Sequence, residues 1–410
     1  MATDAPTHAR HAAAPSRHTR HSPVWILIGA SLGLKAAGFS WDYLSYYVTD
    51  GTGHSTTAAG AVLTVFGGGW CTGLAVAGTL TDRLGQRTAL TLLMALSSLA
   101  CAALALAHTL PALICVAFCL GLTMEVHRPA VSASINASIP TEAGRARAQA
   151  WLYWSSNVGI AICGGLGGYL ADGDHYQQLF IASGIACLLF ALIARRVLTP
   201  RTFQANREDT TYRQVLADPS LRWTALAALG ALICAWGLVS VLPLLMTSDG
   251  LPPSSYGLAM LANTGAVLVL TPPLTRLFLG REDTLRYPFV PILAVGCSFL
   301  GLAMSLASLQ HTTLGYAIAA ALLVPGEIAL STALGAYIST RAPAGATGRY
   351  QAVLSGATAV ASLTPLGIAW ALHAGGRPLV AVLLMSSALV SVAACRPLAA
   401  SLRLAHAPGV

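Results

Sequence analysis

Six ionisable side chains fall inside long apolar runs: Lys35, Asp42, Glu125, His127, Arg128 and Glu327. Charge is costly in such surroundings, so these groups are expected to face a cavity or a partner. Lys35 is the only lysine of the chain, and every other cation is an arginine. A buried ammonium can exchange its proton, whereas a guanidinium stays charged. Lys35 and Asp42 are seven residues apart and share one helix face, two turns apart. Lys35 is therefore either a cavity cation that binds an anionic group or exchanges a proton, or half of a structural ion pair with Glu125 or Glu327. Protonation of either glutamate could be linked to a conformational switch. The alternative is a carboxylate locked to Arg128 or Lys35, or a protonated acid hydrogen-bonded in the bundle. Glu327 has no basic neighbour in its own run and is the leading coupling candidate, with Asp42 second. His127 could relay protons. Adjacent helical residues point about 100° apart, so at most two of Glu125, His127 and Arg128 can face a cavity squarely.

The elements that must hold these groups are membrane helices. The chain is 55% hydrophobic and only 9% charged, where a soluble protein carries about a quarter charged residues. Twelve spans are expected, at 24–47, 56–79, 87–107, 112–138, 148–171, 176–197, 221–247, 254–279, 287–308, 313–340, 346–372 and 377–396. Apart from the N-terminal tail and Arg128, every arginine but Arg377 lies in an even-numbered connection or at the C-terminus. Asp50, Asp172, Asp174 and Asp249 occupy the odd-numbered connections. The positive-inside rule then places both termini in the cytoplasm, and the net charge of +8 reflects topology, not nucleic-acid binding. Residues 1–22 read as a disordered tail whose histidines lack metal-site spacing. The expected order is completed by a six-helix bundle at 23–197, a linker at 198–220, a second bundle at 221–396 and a tail at 397–410. An internal repeat supports the division: Glu125, Arg147 and Gln149 recur 202 residues later as Glu327, Arg349 and Gln351. Nine cysteines lie in apolar runs without Cys-x-x-Cys or histidine neighbours, so packing is expected of them, not metal or disulfide chemistry.

Between the second and third spans stands Gly78-Thr-Leu-Thr-Asp-Arg-Leu-Gly-Gln-Arg87, read as a short polar loop with Gly85 at the reversal. It resembles the helix 2–3 signature of the major facilitator superfamily, Gly-x-Leu-x-Asp-Arg-x-Gly-x-Arg. The resemblance implies an all-α fold of two pseudo-symmetric six-helix bundles, with spans 1, 4, 7 and 10 lining a central cavity near the midplane. It also implies that Gly78, Asp82, Arg83, Gly85 and Arg87 act in gating, with Arg349 or the start of span 11 near Asp82. Arg128-Pro-Ala, followed by Asn157-Val-Gly159 and Gly167-Gly168, is similar to the twelve-helix drug/proton antiporter branch. That likeness implies proton movement at Arg128, although Cys163 and Gly164 replace the Gly-Pro of the pattern. Of the aromatic residues, Trp41, Tyr153, Trp154 and Trp236 could stack on a substrate, while Tyr46 and Tyr47 suit an interfacial belt.

The expected function is export of a small amphipathic drug or natural product in exchange for protons, by a monomer in a bacterial inner membrane. No cofactor is expected, and the proton gradient is the energy source. Gly67-Gly-Gly69 lacks the Gly-Lys-Ser/Thr that would make it a phosphate loop. Two alternatives stay open. One is proton-coupled uptake of a peptide or organic anion, and the other a non-transporting sensor on the same scaffold. No nucleophile–base set on a soluble domain points to an enzyme.

Overall fold

The computed structural model describes residues 22–124, 127–139, 141–198, 212–280, 285–343 and 346–404. Most of the expected N-terminal tail, Glu125 and much of the expected linker lie outside these residues, as do the side chains of Asp82 and Arg128, and Gly78 is described only as a helix position.

The chain is all-helical. In the first group come α1 (Ser22–Ala36), α2 (Phe39–Asp42), α3 (Leu44–Tyr46), α4 (Thr56–Leu84), α5 (Gln86–Leu106), α6 (Leu110–Met124), α7 (His127–Ser138), α8 (Glu142–Asp172) and α9 (Tyr176–Val197). The second group holds α10 (Tyr212–Ala217), α11 (Pro219–Ser240), α12 (Leu242–Ser248), α13 (Pro253–Phe278), α14 (Phe289–Ser308), α15 (Thr313–Arg341), α16 (Thr347–Ala361) and α17 (Pro365–Leu404). Among the described residues, nine helical runs are long and apolar enough to cross a membrane. This is a multi-pass membrane protein.

Short connections force successive helices to reverse, so the two sets of connections collect at opposite ends. One end carries the arginine-rich connections and is called the basic end below. At the other, acidic, end lie Asp50, Asp172, Asp174 and Asp249.

Three boundaries differ from the sequence reading. The stretch from Gly78 to Arg87 is not a loop: α4 continues to Leu84, and the reversal rests on Gly85 alone, at φ 78°. A left-handed residue there strains any side chain, which is why glycine occupies it. The second is α17, which crosses a second left-handed glycine, Gly376 (φ 65°), and then runs past residue 396 to Leu404. Leu398 and Leu402 stay buried on its inner face, so the amphipathic pattern outlasts the strongly apolar run. The last is the expected linker, whose end folds as α10 and buries Val215 against Tyr337 and Tyr350.

Breaks occur where the chain crosses the membrane interior. The first span breaks at Gly38, between α1 and α2. Ser183 of α9 repairs it: its hydroxyl accepts from the Ser40 N–H (3.2 Å) and donates to the Ala37 carbonyl (2.6 Å). Such repair is required where no water can satisfy freed backbone groups. The α11–α12 break at Val241 falls at nearly the repeat offset from Gly38.

Arg377, the one arginine on the acidic end among the connections, is tied down completely. Its guanidinium pairs with Asp249 (2.7 Å) and donates to Tyr316 Oη (2.6 Å) and to the carbonyls of Gln310 (2.7 Å) and Leu245 (2.9 Å). The site is only 12% exposed on either partner. Replacing Arg377 by alanine leaves Asp249 with only Tyr316 and the exposed His311 as partners and takes the guanidinium donor from several carbonyls. A loss of about 3 kcal/mol is expected, read as a lowered melting temperature of the purified protein. An unchanged melting temperature would show the network to be idle.

Candidate substrate cavity

Glu327 is the midpoint of α15, fourteen residues from either end, and its side chain is half-buried. Pro325 precedes it and removes one backbone donor from the helix. Gly326 lets α15 close on α14, where an added Cβ would meet Leu300 Cγ at 2.7 Å. The amide of Asn263, on α13, stands within hydrogen-bonding reach of the Glu327 carboxyl. Its Nδ2 also donates to the Ala320 carbonyl of α15 at 3.0 Å, which fixes the amide's position. Asn263 was missed in the sequence, where the signal was an amide inside an apolar run.

Asp42 closes α2 and accepts from the buried thiol of Cys163 at 3.3 Å. Lys35, on α1, packs its Cβ against Gly159 of α8, where an added Cβ would lie 2.6 Å away. Asp42 and Lys35 are both half-buried and both lie against α8, so α8 brings the first-span pair together.

His127 does not join them. It is buried with its ring edge-to-face on Phe190, 5.7 Å between centroids, in the packed interior of the first group. The cavity role expected from the sequence gives way to packing, because α7 turns that face toward α9. Positions 82 and 128 are described without their side chains, and Gly78 only as a helix position. Arg83 is exposed at the end of α4, while Arg87 and Arg349 are half-buried at the basic end.

Between the two groups the acidic end is shut. Glycines set the closeness of α8 and α13: a Cβ on Gly257 would collide with the Gly164 carbonyl oxygen, and one on Gly168 would lie 2.9 Å from Ser254 Cα. Tyr43 Oη donates to that same Gly164 carbonyl (2.7 Å), and Asp172 accepts from the Ser254 N–H (2.8 Å). On the opposite side, Thr64 of α4 accepts from the Leu366 N–H of α17 (2.8 Å). An aromatic cluster roofs the midplane. Trp41 stacks on Phe66 at 3.9 Å, and Trp236 meets Trp70 at 4.7 Å and Trp41 at 6.4 Å. Trp236 is thus part of the seal, with Trp70 as its unforeseen partner and Phe66 as that of Trp41.

The seal is not fully satisfied. The hydroxyls of Tyr46 and Tyr256 and the indole N–H of Trp70 are buried without a hydrogen-bond partner among the described residues. Each such group costs about 1–3 kcal/mol, a cost that opening relieves. Tyr256→Phe is therefore expected to raise the melting temperature and slow transport several-fold. Faster transport, or a lower melting temperature, would contradict this.

Toward the basic end the groups part around a cavity of about 430 Å³. Ala150, Tyr153, Trp154 and Asn157 of α8 line one wall, and residues from Val267 to Arg276 of α13 the other. The geometry is that of a two-part carrier, closed at one end and hollow toward the other.

Comparison with known proteins decides the family. The model described as Major Facilitator Superfamily matches residues 26–365. The chain belongs to the major facilitator superfamily. A curated relative, "Uncharacterized MFS-type transporter YttB" of Bacillus subtilis (strain 168), is 27% identical over 380 residues, covering 90% of this chain and 92% of that protein. Among solved structures, a POT family transporter in complex with 5-aminolevulinic acid aligns with TM-score 0.75 at 12% identity, over 92% of this chain and 96% of that one. The nucleoside transporter NupG aligns with TM-score 0.69 at 12% identity, over 92% of this chain and 99% of that one. At these identities the structural likeness speaks for the fold alone. This major facilitator protein is a transporter, and its cavity lies between the two helical groups.

Proposed function

We propose that the protein exports small amphipathic compounds in exchange for protons, by alternating access, from the cytoplasmic face of a bacterial inner membrane. The observation that carries this reading is the pairing of a midplane acid with an aromatic cavity. Glu327 sits at the centre of α15 beside Asn263, while Tyr153 and Trp154 wall a hollow open toward the basic end. With the basic end cytoplasmic, the structure stands inward-facing, ready to load from the cytoplasm. Glu327 is the coupling acid, with Asp42 the second and Glu125 and Arg128 assisting. Lys35 and Asn157 orient substrate. Asp82, Arg83, Arg87 and Arg349 close the cytoplasmic end in the outward state. The working unit is a monomer that uses the proton gradient, with no cofactor and no nucleic-acid partner.

Everted membrane vesicles test the direction. Under a proton gradient made by respiration, they should accumulate an amphipathic dye, and a protonophore should release it. Accumulation by right-side-out vesicles instead would favour proton symport. That second reading has its own support, since solved structures similar in fold are named as peptide transporters and Lys35 suits an anionic group.

A further inference from the structure

The walls of the cavity between α8 and α13 have an uneven chemistry. Tyr153, Trp154, Val267, Leu268 and Pro272 present aromatic and aliphatic surface. Among the described residues that line it, Arg276 is the single charged side chain. It stands one turn beyond Pro272, at the basic-end mouth, and is exposed. Among the described residues that line the cavity, no acid shares the wall with it. Pro272 and Pro273 follow one another inside α13. Neither has an N–H, so the carbonyls of Leu268 and Val269, four residues earlier, lose their intrahelical donors. Leu268 belongs to the cavity wall, and its carbonyl is a hydrogen-bond acceptor offered in an apolar setting, where such a bond is strong.

We propose that this cavity takes an anionic amphiphile. Its aromatic body lies against Trp154 and Tyr153, its carboxylate or sulfonate meets Arg276, and an N–H or O–H on the body reaches the Leu268 carbonyl. A planar guanidinium binds such an anion bidentately, which a cationic drug cannot use. A cation placed in the same position would face the Arg276 charge at close range and be repelled, the more weakly for the water at the mouth. The inference rests on the export reading and narrows it to one class of substrate.

Two probes with the same fluorophore decide the matter. Dansylglycine carries a carboxylate and a sulfonamide N–H, and dansylcadaverine carries an ammonium in place of the acid. Binding to the full chain in lipid nanodiscs is read by energy transfer from tryptophan to dansyl, with no gradient present. Dansylglycine should bind at least about tenfold more tightly than dansylcadaverine. Arg276→Gln should weaken dansylglycine about tenfold and leave dansylcadaverine unchanged or tighter. Arg276→Lys should recover part of the loss, and Trp154→Ala should weaken both probes. Equal binding of the two probes, or a preference for dansylcadaverine, overturns the inference even if Arg276→Gln fails to fold, because the wild-type ratio suffices. Dansylglycine binding without proton-linked transport would remove the export reading and leave the ligand class. Proton-linked export of cations without a preference for dansylglycine would do the reverse.

Discussion

Glu327→Gln should abolish gradient-driven accumulation of substrate while leaving exchange between equal substrate pools intact. The substitution keeps the shape and hydrogen-bonding reach of the side chain beside Asn263 and removes only its capacity to ionise. An ionised side chain at the centre of a membrane helix costs about 3 kcal/mol. Loss of a proton there therefore biases the protein toward whichever state hydrates the group. A carrier that cannot change charge at this point loses the link between proton and conformation. A fall of at least about a hundredfold in proton-driven transport is the expected size, since a bias of about 3 kcal/mol separates populations by that factor. Exchange lost together with accumulation would assign Glu327 to substrate binding, and neither lost would move coupling to Asp42.

Gly257→Leu should hold the acidic end open. Even a Cβ at this position runs into the Gly164 carbonyl, and both helices are backbone against backbone there. Overpacking of such a contact costs about 1–3 kcal/mol, enough to shift a two-state equilibrium about tenfold or more. Cys163 supplies the readout, since it is fully buried in the closed end and bonded to Asp42. In a chain whose other eight cysteines are replaced, a membrane-impermeant maleimide added at the acidic end should label Cys163 at least about tenfold faster in Gly257→Leu. Transport should fall in parallel. Unchanged labelling with normal transport would mean that the α8–α13 contact does not gate.

The parts that could be read from the sequence are those with a local chemical signal. Many of the spanning runs followed from apolar length, the gathering of the arginines at one end from their spacing, and the mid-helix place of Glu327 from a charge inside an apolar run. Arg377 announced itself as an exception, and the structure answers it with Asp249 and five further hydrogen-bonding partners, Tyr316, Gln310, Leu245, Ser248 and Ser308. What could not be read was facing. In a membrane helix the lipid side and the packed side are both apolar, so the 3.6-residue period that orients soluble helices is faint. Hence His127 was expected in the cavity and lies against Phe190. For the same reason Trp41 and Trp236 could be chosen, while their partners Phe66 and Trp70, on another helix, could not. Two helix limits escaped because polar residues such as Thr79, Thr81 and Asp82 extend a helix into the headgroup region as readily as they form a loop. Gly85 alone carried the reversal, through its backbone and not its neighbours.

The most direct test of the account is proton movement in a purified system. The protein is reconstituted in liposomes with an internal pH dye and an imposed pH gradient, and amphipathic anions, cations and zwitterions are added in turn. Coupled export predicts proton flux opposite to the substrate in wild type and its loss in Glu327→Gln. Substrate transport without any proton flux in wild type would contradict the coupling claim.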